Sequence, residues 1–329
     1  MRIGLDIGGT KIDAVLLRDD LTIASRVRVP TGKGPRAVVA SAERAVHDVV
    51  ASTGGSVASV VASIGAGIPG MVDAERGRVR HAVNLDVTDL ALADELSARV
   101  GVPVHVENDV KAASLGAYHL LSLTGSAALL NLGTGVAAGI VLDGRLWRGP
   151  GGGAGEVGHI PIEPGGAICG CGQRGCIETL ASGSAVARLW PSHAEHPAVE
   201  LFDAADAGDE RARTVRRTVA QAVASGIRVL ALTVDVETVV LAGGLSHLGD
   251  RLRRSVTEVL EDWGDESAFL ASLSLPSRVR MLPPELAAAA VGAALVGIPD
   301  ATEGRQVRAA PVGDDATRAS VGAPVDAPR

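Results

Sequence analysis

Asp109 closes the segment Val102-Pro-Val-His-Val-Glu-Asn-Asp109, an apolar run that ends in three polar residues. A carboxylate just beyond the carboxyl end of a buried strand can accept the proton of a hydroxyl that attacks a phosphoryl group. Asp109 is therefore the candidate general base. Asn108 can hydrogen-bond substrate hydroxyls, although Asn-Asp before Val-Lys-Ala-Ala also reads as a helix N-cap, and the two roles can coexist. Lys111 points either to solvent or to phosphate.

Three glycine turns follow apolar runs. In Asp6-Ile-Gly-Gly-Thr-Lys11, Gly8 and Gly9 let the backbone turn with N–H groups aimed at an anion, and Thr10 and Lys11 can donate to phosphate oxygens. Asp6 is placed to face Mg2+ through water. Asn131-Leu-Gly-Thr-Gly135 repeats the device with Gly133, Thr134 and Gly135, as two loops clamping one polyphosphate would require. Gly243 and Gly244 form the third turn, where the base and ribose of ATP could approach the backbone. No turn matches the Walker A or Gly-x-Gly-x-x-Gly pattern, which removes the P-loop and Rossmann readings.

All three cysteines, Cys169, Cys171 and Cys176, lie within eight residues, ten residues after His159. An odd, clustered set suits metal ligation better than disulfides, and one His with three Cys completes the tetrahedral shell that Zn2+ prefers. A full shell leaves no open position for an activated water, so the zinc is expected to be structural. Gly170, Gly172 and Gly175 fit a chain bending sharply around it. Glu156 and Glu178 flank this knot as carboxylates able to accept hydrogen bonds from sugar hydroxyls.

These residues need elements to position them. Apolar runs at Ile3–Ile7, Val60–Ile64, Val102–Val106, Ala127–Leu132 and Val239–Leu241 predict buried strands, separated by helical patterns such as Ala37–Val50, which together predict an α/β fold. Leu5-Asp-Ile-Gly-Gly-Thr10 and Leu130-Asn-Leu-Gly-Thr-Gly135 each precede an apolar run and a polar turn. This internal echo predicts two similar domains facing one cleft. The expected division is residues 1–115, residues 116–284 with the zinc knot, and a helix within 285–299 packing back on one of them. Residues 300–329 lack periodicity and read as a disordered tail.

The chain has 329 residues, too many for one core, and only 2% are aromatic although 47% are hydrophobic, so Ala, Val and Leu must fill the interior. A net charge of -7 gives no general attraction to nucleic acid or to anionic membranes. No apolar stretch is long enough for a membrane helix and no signal core follows Met1, so the expected location is the cytoplasm.

Taken together, the segments resemble the ROK family of bacterial sugar kinases and sugar-responsive repressors over about Met1 to Pro299, most specifically in Asp6–Lys11, Glu107–Asp109, Leu132–Gly135 and Gly155–His159 through Glu178. The resemblance implies a two-domain actin-like ATPase (ribonuclease H-like) fold with Mg2+ and ATP in the cleft. It also implies that Asn108, Asp109, Glu156, His159 and Glu178 hold a sugar, with Gly70 and Asn84 lining the same cleft, and that the chain forms a homodimer or homotetramer. His159 would then turn one ring nitrogen to zinc and the other to a sugar hydroxyl. The repressors carry an additional N-terminal helix-turn-helix, whereas Met1 here runs straight into the first strand. The expectation is thus a glucokinase-like kinase acting on a hexose 6-hydroxyl. N-acetylmannosamine, N-acetylglucosamine and fructose are the alternative acceptors, and a non-catalytic sugar-binding regulator is the alternative role. Asn84 sits in Ala82-Val-Asn-Leu-Asp-Val87, which differs from the Pro-Asn-Leu-Pro-Trp type of the family's glucose kinases.

Overall fold

A computed structural model describes residues 1–298; the expectation for residues 300–329 lies outside the described residues. Its strands are β1 (Arg2–Ile7), β2 (Lys11–Leu17), β3 (Ile23–Pro30), β4 (Ser63–Ile68), β5 (Met71–Asp73), β6 (Arg78–Ala82), β7 (Val87–Leu90), β8 (Val104–Asn108), β9 (Ser126–Leu132), β10 (Val136–Leu142), β11 (Arg145–Trp147), β12 (Thr238–Ala242) and β13 (Val279–Met281). They build two five-stranded sheets, ordered β3-β2-β1-β4-β8 and β11-β10-β9-β12-β13, and a small sheet β5-β6-β7.

The two large sheets are copies of one plan. In each, the first three strands form an antiparallel meander and the last two add in parallel to its first strand. The echo in the sequence is therefore an echo in topology, and each glycine loop is the turn of the corresponding hairpin. β1 and β4 are almost wholly buried, which is why they read as continuous apolar runs.

Two strand boundaries differ from expectation. Val57–Val60 is a short helix with a capping box from Ser56 and Ser59, so the strand anticipated at Val60 starts at Ser63. A short apolar run does not by itself separate strand from buried helix. The strand anticipated at Val102 starts at Val104, after Pro103, which has no N–H to donate.

Helix Asp109–Leu120 touches β4 and β8 of the first sheet and β9 and β10 of the second. Helix Ala288–Val296 lies against it and against β1, β2 and β4. The approach is close because glycines face backbone. A Cβ on Gly116 would come within 1.9 Å of the Ala288 carbonyl oxygen, and one on Gly292 within 1.7 Å of that of Ala112. Gly4 and Gly65 allow the same helix to press on β1 and β4, at 1.8 Å from the oxygen of Ala290 and 1.7 Å from that of Ala293.

Gly292→Ala forces two backbones apart and is expected to destabilise by about 3 kcal/mol, the upper part of the overpacking range. Gly165→Ala, whose Cβ would meet nothing within 4 Å, is expected to stay within about 0.5 kcal/mol of the parent. Urea denaturation of both variants checks the contrast.

Candidate active site

β8 ends at Asn108, and the chain turns into helix Asp109–Leu120 with Asn108 as the N-cap. Its Oδ1 accepts from the N–H groups of Val110 at 3.1 Å and Lys111 at 3.2 Å. The amide nitrogen faces the carbonyl oxygen of Gly70 at 3.4 Å. Capping thus occupies one end of the side chain and leaves the other toward the cleft. Asp109 follows as the first helical residue, with Oδ1 accepting from the Val110 N–H at 2.9 Å.

A cavity of about 550 Å³ opens beside Asp109. Its wall includes Gly70, Asn84, Asn108, Glu156, His159 and Glu178 together with Thr134 and Gly135 of the second glycine loop. Five polar side chains from four separate segments thus meet a phosphate-type loop around one carboxylate. Asp6, Gly8, Gly9, Thr10 and Lys11 do not line this cavity; they form the β1–β2 turn, in which the Gly8 N–H donates to the Lys11 carbonyl at 2.9 Å. Gly9 lies against Asn84, whose backbone oxygen would be 3.3 Å from an added Cβ. Gly133, Gly243 and Gly244 also stay outside the cavity wall. Gly243, at φ 86°, presses on the second loop so tightly that a Cβ would sit 2.6 Å from the Leu132 carbonyl carbon.

Gly155 and Gly158 bring Glu156 and His159 to the wall, since a Cβ on either would lie 1.9 Å from a carbonyl oxygen of β10. Glu178 is tied to the second loop: its Oε2 accepts from the Val136 N–H at 2.9 Å, and a Cβ on Gly135 would come within 2.5 Å of that oxygen.

The Cys/His cluster forms as one group, with the ligand atoms of His159, Cys169, Cys171 and Cys176 all within 4.8 Å of one another. Cys169 Sγ is 3.5 Å from His159 Nδ1, and Cys171 Sγ is 3.8 Å from Cys176 Sγ. Gly172 and Gly175 take left-handed backbone, φ 90° and 66°, as a sharp bend requires. Gly170 does not: its φ is not positive and a Cβ there would meet nothing within 4 Å, so the expectation of a required glycine fails at that position.

Lys111 is corrected as well. It is buried rather than turned to solvent, it lines the cavity, and its Nζ donates to the carbonyl of Gly152. His81, Met71, Val72 and Gly151–Gly153 also line the cavity and carried no signal in the sequence. They arrive from the small sheet and from a glycine-rich loop, through contacts distant along the chain.

The family model of the ROK family matches residues 2–294. The chain belongs to the ROK family. It is 33% identical over 282 residues to a glucokinase of Halalkalibacterium halodurans, covering 79% of this chain and 84% of that protein. It is 34% identical over 255 residues to an N-acetylmannosamine kinase of Citrobacter koseri, covering 74% and 83%. A solved ROK family glucokinase from Streptomyces griseus in complex with glucose and AMPPNP matches with a TM-score of 0.72 at 30% identity, covering 90% of this chain and 98% of that one. The two like sheets of this ROK chain are those of the actin-like α/β fold expected from the motifs. Among the described residues no helix is long and apolar enough to cross a membrane.

The carboxylates of the ROK cleft are under tension. Burial, then the charges of Asp109 and Asp13, push Asp6 up from the usual carboxylate range to about 7, against the opposing pull of Lys11 and Arg26. Burial also raises Asp109, and Glu156 adds to it, while the backbone N–H of Val110 works in the other direction. Asp13, across the hairpin from Asp6, is held ionised by Arg26 and Arg28 at 2.5 and 3.0 Å.

A carboxyl raised in the folded state binds more protons there than when unfolded, so its contribution is present at low pH and is lost as pH rises toward the folded value. Ligand-free protein should therefore lose stability between about pH 4 and pH 7, the window set by Asp6. Asp6→Asn should melt several degrees higher than the parent at pH 8, with the gap closing toward pH 4. Thermal melts across that range test this.

Proposed function

We propose that this chain is an ATP-dependent sugar kinase that transfers the γ-phosphoryl group to a hexose hydroxyl, with Asp109 as general base. The observation that carries the reading is the single cavity that joins Asp109 to the hydroxyl-binding groups Asn84, Asn108, Glu156, His159 and Glu178 and to Thr134 and Gly135. Sugars present many hydroxyls at fixed angles, and carboxylates and amides on several segments match them by charge-assisted hydrogen bonds. In the reaction, Asp109 accepts the proton of the attacking hydroxyl, and its raised affinity for protons suits it to hold one as the oxygen bonds to phosphorus. The turns Gly8–Lys11 and Gly133–Gly135 would hold the phosphates, Gly243 and Gly244 would lie by the adenosine, and Asp6 would help to hold Mg2+. Bound Mg2+ and ATP supply the phosphoryl group and offset its negative charge. The two sheets act as domains that close over sugar and nucleotide, which excludes water from the transfer.

The Cys/His cluster fits zinc. A tetrahedral ion with bonds of about 2.3 Å to sulfur and about 2.0 Å to nitrogen spaces its ligand atoms about 3.5–3.8 Å apart; Cys169 to His159 is 3.5 Å, Cys171 to Cys176 is 3.8 Å, and all four ligand atoms lie within 4.8 Å of one another. With Nδ1 on the cluster side, His159 keeps Nε2 for the cavity it lines. Four protein ligands complete the shell, so the metal would brace the sugar wall rather than react. Thiolate ligands of this kind need a reducing compartment, which supports a cytoplasmic location.

Glucose is the first acceptor to test, phosphorylated at its 6-hydroxyl. The likeness to an N-acetylmannosamine kinase supports N-acetylated hexosamines as the second.

In a coupled assay with a hexose panel, Asp109→Asn should lower kcat by roughly 10² to 10⁴ while sugar affinity measured by calorimetry changes less than about threefold. Retention of the parental kcat would remove Asp109 from the role of base. For the parent, kcat/KM should fall as pH is lowered, with a midpoint above the usual carboxylate range, because only ionised Asp109 accepts a proton. The purified protein should carry about one zinc per chain, and chelation should lower its melting temperature. Metal analysis below about half an equivalent with no thermal effect of chelator counts against the site.

A further inference from the structure

Between β11 and Glu156 the chain runs Arg148-Gly-Pro-Gly-Gly-Gly-Ala154. Gly151, Gly152 and Gly153 line the cavity beside Asp109, and Gly149 to Gly152 also line an adjoining cavity of about 380 Å³. This loop therefore forms part of the acceptor wall and delivers Glu156 to it. It cannot hold that shape alone. Ordering five residues costs backbone entropy, and glycine costs most. The loop's own backbone bonds are few: Gly152 to Gly149 at 3.2 Å, Ala154 to Arg148 at 3.1 Å and Glu156 to Gly153 at 3.4 Å. Three backbone hydrogen bonds, each worth little net because water would replace them, offset only a fraction of that cost.

Two further contacts tie the loop down, and both reach residues that bracket Asp109. Arg148 Nε donates to Glu107 Oε2 at 2.6 Å, and the other oxygen of Glu107 accepts from the Asn108 N–H at 2.9 Å. The Glu107 side chain is only 3% exposed while Arg148 is 39% exposed, so removing Arg148 would leave the Glu107 charge buried without its partner. Lys111, two residues past Asp109, donates from its ammonium to the Gly152 carbonyl and is itself buried. Both ties run from the first sheet and its exit helix to a loop of the second.

We propose that Lys111 and Arg148 are positioning residues that pin the glycine loop 149–153 to the strand end and helix start carrying Asp109, and so shape the acceptor pocket without touching the phosphates. The proposal rests on the sugar kinase reading for its kinetic test only. Steady-state kinetics with D-glucose and N-acetyl-D-mannosamine should show, for Lys111→Met and for Arg148→Met, a sugar KM raised about tenfold with the ATP KM within about twofold of the parent. The double variant should be no worse than about the poorer single one, because both ties hold one loop. Lys111→Arg should recover part of the loss. A raised ATP KM with sugar KM unchanged would make Lys111 a phosphate ligand and overturn the proposal. So would a fall in kcat alone, which a mere loss of folded protein produces.

Hydrogen exchange gives a test that needs no turnover. In ligand-free Lys111→Met, amides of residues 149–156 should exchange at least about tenfold faster than in the parent, with the β-sheets unchanged. Unaltered exchange in that segment sinks the proposal. Absence of turnover by the parent with every sugar would instead sink the kinase reading and leave the exchange result to decide this one.

Discussion

Everything in the cleft depends on how closely helices Asp109–Leu120 and Ala288–Val296 can meet. Gly116 and Gly292 put each helix's backbone against the other's, and Gly4 and Gly65 let the pair sit down on β1 and β4. Small residues make this possible because dispersion and carbonyl contacts act only at close range. Asp109 is the first residue of one of these helices, which reaches both sheets. Asp109 is therefore fixed by a tightly packed junction, while most of the groups around it come from loops. A chain with 2% aromatic residues fills its interior by close backbone approach instead of by large side chains.

The duplicated sheets share a plan but have diverged at their loops. The first sheet contributes the turn at Gly8 and the carboxylates Asp6 and Asp13, paired across the hairpin; the second contributes the turn at Gly133, the knot and Glu178. Glu178 joins three of these parts. Its Oε2 holds the N–H of Val136 just after the loop, its other oxygen lies 3.8 Å from Cys169 Sγ, and the cavity lies in front. The cluster and the second loop are thereby coupled through one side chain, so the shape of one constrains the other.

Chemistry carried by adjacent residues was legible in the sequence. The two glycine turns, Asn108-Asp109 and the three clustered cysteines are local patterns whose physical reasons lie within a few positions, and their repetition exposed the fold. Lys111, Arg148 and the loop 149–153 were not legible, because their meaning arises from contacts 41 residues apart. His81 was missed for a similar reason: it reaches the cavity from β6 with φ 54°, a conformation that nothing in Arg80-His-Ala82 announces. The strand misplaced at Val60 shows the opposite failure, a local apolar run whose partition between helix and strand was settled by two serines.

The same arrangement sets function against stability. Burial is the main cause that raises the proton affinity of both Asp6 and Asp109, with the charge of Asp109 adding at Asp6 and that of Glu156 at Asp109, so holding these carboxylates ionised at neutral pH strains the fold. Removing either carboxylate would relieve that strain, and the fold alone offers no reason to keep them. A phosphoryl-transfer site does, because it needs one carboxylate toward a cation and another toward a hydroxyl, and the ligands themselves offset the repulsion. Two carboxylates whose burial works against folding are thus the kind of groups that a phosphoryl-transfer site would keep.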